Sequence, residues 1–138
     1  MPGVSFAVCL VLTLIGVVHL YWAAGGSAWK AGAIPSRNGM PVLSPGPAST
    51  ALVGIALFGM AVVVGSTAHL LPPVLPAGLL QSASATLALI FAARAVGEFR
   101  YVGFFKRVRG SVFATRDTWL YSPLCLLLAA MIALILLA

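Results

Sequence analysis

The sequence predicts an all-α fold: a polytopic membrane protein built as a four-helix transmembrane bundle. Three observations carry that reading. The 138 residues are 62% hydrophobic and only 7% charged, whereas soluble domains place about a quarter of their residues in charged side chains, so too few polar atoms exist to cover a water-exposed surface. The apolar residues gather into four runs, each long enough to cross a hydrocarbon core of about 30 Å as a helix of about 20 residues. The basic residues fall between these runs, with Arg94 as the exception.

The first span is expected over about residues 4–24. Its opening, "MPGVSF", lacks the basic region of a secretory signal, and the apolar run is longer than a signal core, so it reads as a retained helix. The connection 25–48 is rich in Gly, Pro and Ser, which predicts irregular backbone. It also holds Trp29, Ile34, Met40, Val42 and Leu43, side chains that favour folding back over the end of the bundle. The second span covers about 49–71, and the short "LPPVLPA" turn makes it an antiparallel hairpin with the third, about 78–100. A basic amphipathic connection, 101–117, leads to the fourth span, about 118–138.

Local chemistry refines these elements. Asp117 stands before "TWLYSP", where its carboxylate could accept backbone N–H groups as a helix cap. Pro123 has no N–H and leaves a carbonyl near Trp119 without its helical partner, which predicts a kink. Small residues four apart, Ala61 with Gly65, Ala88 with Ala92 and Ala129 with Ala133, would let helices approach closely in lipid. Cys9 and Cys125 both sit in apolar runs with no CxxC spacing, so they read as packing residues and no metal site is expected.

The basic residues also set the expected orientation, because Lys and Arg at span ends favour the cytoplasmic side. Lys30 and Arg37 lie in the first long connection; Arg100, Lys106, Arg107, Arg109 and Arg116 lie in the second. The other segments outside the spans carry none, so both termini are expected outside and both long connections in the cytoplasm. This topology accounts for the net charge of +6 without a nucleic-acid partner, for which no basic groove with readout residues is visible. Lys106, Arg107 and Arg109, interleaved with Phe104, Phe105 and Val108, would meet anionic lipid headgroups.

That orientation brings ionisable groups from three spans to one depth. His19 and Trp22 lie near the end of span one, Arg94, Glu98 and Arg100 near the end of span three, and Asp117 and Tyr121 at the start of span four. Arg94 and Glu98 are four apart, the spacing of a helical ion pair, and an isolated charge in the membrane costs at least about 2.5–3.5 kcal/mol. The expected site is therefore a polar pocket of His19, Trp22, Arg94, Glu98, Arg100, Asp117 and Tyr121, with His19, Glu98 and Asp117 as the available proton-transfer groups. His69 falls at the opposite end of the bundle and cannot join it.

The motifs "HLYWAAGG", "RAVGEFRYVGFFKRVRGSVFATRDT" and "YSPLCL" carry a resemblance to a family of small bacterial membrane proteins defined as a domain of unknown function. That resemblance covers nearly the whole chain. It implies a four-span protein of the bacterial inner membrane with these motifs as its working parts, and no particular activity, substrate or cofactor. The layout is also similar to that of four-helix membrane families that include quinone-linked oxidoreductase subunits, whose cofactor motifs this sequence lacks. Three function classes follow: a pocket for a small amphipathic or anionic ligand, with or without intramembrane chemistry; an accessory subunit of a larger membrane complex; and a small transporter acting as a homo-oligomer.

Overall fold

Hydrocarbon offers no water to satisfy backbone N–H and C=O groups, so each apolar run must close its own hydrogen bonds as a helix. The computed structural model describes residues 1–138 and has four long apolar helices: α1 (Pro2–Ala23), α2 (Pro47–Thr67), α3 (Ala77–Val96) and α4 (Val112–Leu137). Prolines stand in the first turns of α1 and α2, and Pro76 precedes α3. At such positions the missing N–H would have had no helical partner anyway.

Three ends differ from the sequence expectation, the first being that of α2, which stops at Thr67 rather than near residue 71. α3 stops at Val96 rather than running to about Arg100, because Gly97 turns the chain at φ 84°. α4 begins at Val112 rather than near Thr118, and its cap is Ser111, whose Oγ accepts the Ala114 N–H at 3.0 Å. Asp117 is thus inside the helix and is not its cap. At Asp117–Tyr121 the helix widens into a π turn, with the Ser122 N–H reaching the Asp117 carbonyl. Pro123 falls in the first turn of the α-helical segment that resumes at Ser122, so the expected irregularity takes the form of an inserted residue just ahead of the proline.

The most extensive packing is between α1 and α2 and between α3 and α4. The α1–α2 crossing is set by Gly16 and Gly54, since a Cβ on Gly16 would lie 3.1 Å from the Gly54 carbonyl oxygen and one on Gly54 would lie 3.0 Å from that of Gly16. This pair spans two helices, which spacing within one run does not reveal. Ala61 and Ala129 are also buried. Cys9 adds a thiol contact to the Ala61 carbonyl at 3.4 Å. α2 and α3 are joined by polar contacts: Thr67 Oγ1 lies 2.8 Å from Ser84 Oγ and donates to the Leu80 carbonyl at 3.2 Å.

The apolar core, Val8, Leu12, Leu57, Ala61, Val64, Leu128, Ile132 and Ile135, occupies the first half of α1, the middle and second half of α2 and the second half of α4. These segments lie toward the turn that joins α2 to α3. The other ends of all four helices meet the two long connections. The first of these is more ordered than its composition predicts. It holds a short 3-10 turn at Ala31–Ala33 and a two-residue hairpin, β1 (Ser36–Arg37) with β2 (Met40–Pro41). Asn38 and Gly39 make its turn, both at positive φ, as two-residue hairpins require.

Candidate functional site

The organising residue is Asp117, which is fully buried. Its Oδ1 accepts from Arg94 Nη2 at 2.9 Å, and its Oδ2 accepts from Lys106 Nζ at 3.0 Å and the Gly103 N–H at 2.7 Å. Lys106, also buried, donates further to the Gly103 carbonyl at 2.9 Å and to Thr118 Oγ1 at 2.6 Å. One carboxylate therefore serves two cations, and the cluster carries one positive charge without a partner. Lipid tails tolerate such a group only where protein encloses it.

The connection after α3 supplies the enclosure. Beyond Gly97 the chain leaves the helix, passes through Glu98–Val102 and returns so closely that a Cβ on Gly97 would overlap the Val102 carbonyl, and one on Gly103 the Val96 carbonyl. Both glycines have positive φ, so neither position accepts another residue without strain. The Phe104 N–H donates to the Ala95 carbonyl at 2.8 Å and closes the loop. This return places the Gly103 N–H and the Lys106 amine over Asp117. The repeated Val–Gly pairs of "VGEFRYVG" are the sequence trace of that clasp.

Beside the cluster lies a cavity of about 690 Å³, between the second half of α1 and the first half of α4. His19, Trp22, Arg94, Arg116 and Tyr121 line it, among mostly apolar side chains. His19 Nδ1 is 2.8 Å from the Ile15 carbonyl. A carbonyl only accepts, so Nδ1 carries a proton, and in the neutral ring Nε2 holds the lone pair. Arg94 Nη1 is buried without a hydrogen-bond partner, although Nη2 is held by Asp117. Ser122 Oγ is likewise buried and unpartnered.

The first connection covers one end of this cavity. Tyr121 donates its hydroxyl proton to the Gly32 carbonyl at 2.9 Å, and the Trp22 Nε1–H donates to the Ala28 carbonyl at 2.7 Å. Gly32 rests on the Arg116 guanidinium so tightly that a Cβ would overlap it. Trp29 and Ala33 are thereby brought to the cavity wall.

Of the residues expected to share a pocket, His19, Trp22, Arg94 and Tyr121 do line one cavity, and Asp117 is bonded to Arg94 at its edge. Glu98 and Arg100 do not join them. The Arg94–Glu98 ion pair does not form, because α3 ends between the two residues and the four-residue helical spacing is lost. Glu98 Oε1 instead accepts the N–H groups of Tyr101 and, at 3.0 Å, Val102. The Tyr101 N–H bond chiefly, with Arg100 nearby, holds the Glu98 carboxyl below its usual range. Arg100 is exposed and lies over the Tyr101 ring at 5.0 Å. The expected headgroup patch is also divided: Arg107 and Arg109 are exposed, but Lys106 has turned inward to Asp117. Lys106, Gly103 and Arg116 are the site residues that sequence reasoning missed. Nothing in a basic loop marks which of its cations will find the buried acid.

The family model described as "Protein of unknown function (DUF3995)" matches residues 12–132. The chain belongs to that family. The matched DUF3995 region takes in every residue of the Asp117 cluster and every residue of the cavity wall named above. No curated protein and no solved structure matches the chain.

Proposed function

We propose that the protein is a membrane-embedded binding protein. Its cavity takes a small amphipathic molecule, with an anionic or acceptor-rich end at Arg94 and an apolar tail along α1 and α4. The observation that carries this reading is the unpartnered Arg94 Nη1 beside a cluster of two cations and one carboxylate. A buried donor with no acceptor costs about 1–3 kcal/mol, more when charged, and an anionic ligand would remove that cost. Arg116 on the same wall adds positive charge. Leu14, Val53 and Leu120 line the cavity and are about half exposed, which supports lateral entry from the bilayer. The basic connections support a cytoplasmic placement of this end, with both termini outside, in a bacterial inner membrane. Should the site perform chemistry, proton transfer falls to His19 through Nε2, because Glu98 lies elsewhere and Asp117 is committed to Arg94, Lys106 and Gly103.

Thermal unfolding in non-ionic detergent, with fatty acids, other single-tailed carboxylates and quinones added in turn, and no phosphate present, tests the reading. Single-tailed anionic compounds should raise Tm progressively with concentration, as ligands of the native state do. Leu124→Trp, which fills the cavity from a wall position outside the hydrogen bonds of the Asp117 cluster, should abolish that rise. No shift with any compound, or a shift that survives Leu124→Trp, would favour the accessory-subunit or transporter readings.

A further inference from the structure

A second concave site lies outside the bundle, between the two long connections. Arg37, Glu98, Phe99, Arg100, Arg107 and Val108 surround a cavity of about 390 Å³. Its three arginines come from separately built pieces of backbone. Arg37 is held by the β1–β2 hairpin, opposite Met40. Arg100 and Arg107 are brought side by side because the Arg100 carbonyl accepts the N–H groups of both Arg107, at 3.1 Å, and Val108, at 2.8 Å.

None of these three guanidinium groups takes part in an ion pair, since both ion pairs of the molecule converge on Asp117. Glu98 is the one acid at the site, and its Oε1 is engaged by the Tyr101 and Val102 N–H groups. Three cations therefore face one carboxylate in a concave surface. Unpaired like charges repel one another, and a loop that holds them together is stabilised by an anion able to bridge them. Arginine forks fit tetrahedral oxyanions, giving paired N–H bonds to two oxygens.

We infer that Arg37, Arg100 and Arg107 form a binding site for a phosphate group, carried either by a lipid headgroup or by a soluble phosphate ester. The site is distinct from the bundle cavity and does not depend on what that cavity holds. It bridges the two connections, so its occupant ties the covering segment 25–46 to the clasp after α3. Phe99, exposed on its rim, suits a phosphate that arrives at the membrane surface.

The test is binding to the full chain in non-ionic detergent at physiological salt, using dioctanoyl phosphatidic acid, dioctanoyl phosphatidylcholine, glycerol 1-phosphate and inorganic phosphate as probes. Saturable binding of phosphatidic acid, with the soluble phosphates silent, assigns the lipid as the source. Comparable binding of glycerol 1-phosphate assigns a soluble ester. In either case Arg37→Gln and Arg107→Gln should each weaken binding about tenfold, as expected for losing a charge-assisted pair.

Arg109→Gln removes the same charge from the same connection at a guanidinium that donates to the Phe104 carbonyl at 3.1 Å, and should leave affinity within about twofold. Arg37 is exposed on a hairpin, so its variant keeps the test valid if Arg107→Gln folds poorly. Leu124→Trp should bind the phosphate probes like the parent, which separates this site from the bundle cavity. Absence of binding by every phosphate probe overturns the inference. So does equal weakening by Arg109→Gln, or equal affinity for phosphatidylcholine and phosphatidic acid.

Discussion

The two halves of the bundle are held together by different means. Toward the α2–α3 turn, Val8, Leu12, Val64 and Ile132 interlock with no exposure above a trace, and dispersion contacts between close helices do most of the work. Toward the long connections, α1 and α4 diverge around a cavity and the structure is tied instead by Asp117, Lys106, Arg94 and the Gly97–Gly103 clasp. The first device weakens in proportion to the void that a lost side chain leaves. The second fails abruptly, because a charge deprived of its partner has no solvent to turn to.

The largest expected effect tests that contrast directly. Asp117→Asn leaves Lys106 buried without a counter-ion and should cost about 3–5 kcal/mol, as for a broken buried ion pair. Denaturation in detergent would show it as a lowered Tm and faster proteolysis between residues 97 and 111. An unchanged Tm would mean that the polar half is not held by the ion cluster. Gly103→Ala should come next, at about 1–3 kcal/mol, because the added methyl overlaps the Val96 carbonyl and the residue has a positive φ. The same unfolding assay reads it.

A matched pair of truncations sharpens the comparison further. Ile132→Ala opens a void in the packed half and should cost about 2 kcal/mol or more. Leu124→Ala, on the wall of the existing cavity, should cost less than about 1 kcal/mol, because its side chain faces space on one side. Equal losses would show that both halves are packed alike.

The smallest effect concerns pH. Glu98 has its carboxyl lowered by the Tyr101 N–H bond, so its contribution is complete above the unfolded-chain value of about 4.3 and fades as pH falls through the lower folded value. Acid titration of loop proteolysis should show this loss, and Glu98→Gln should remove that pH dependence.

The site was partly legible because some of its signals are local. An arginine inside an apolar run must find a buried partner, and "DTWLYSP" placed the acid near the right depth. Of the two acids within reach of Arg94 it takes Asp117, because the Arg94–Glu98 spacing needs a helix that Gly97 ends. The hairpin Ser36–Pro41 carried its own signal in "NG", yet the richness of the surrounding segment in Pro and Ser concealed it. Lys106 had no distinguishing signal, since its burial depends on a loop closing through contacts between residues far apart in the chain.

The apolar runs and the scarcity of charge determined by themselves that the chain forms four membrane helices, because hydrocarbon permits few alternatives to a helix closing its own hydrogen bonds. Only the tertiary structure decided that Asp117 takes Arg94 and Lys106, that Glu98 and Arg100 turn away, and that α1 and α4 part around a cavity. Those outcomes depend on where Gly103 lands against Val96 and where Gly16 crosses Gly54. Each is a long-range meeting of backbones that short-range spacing does not encode.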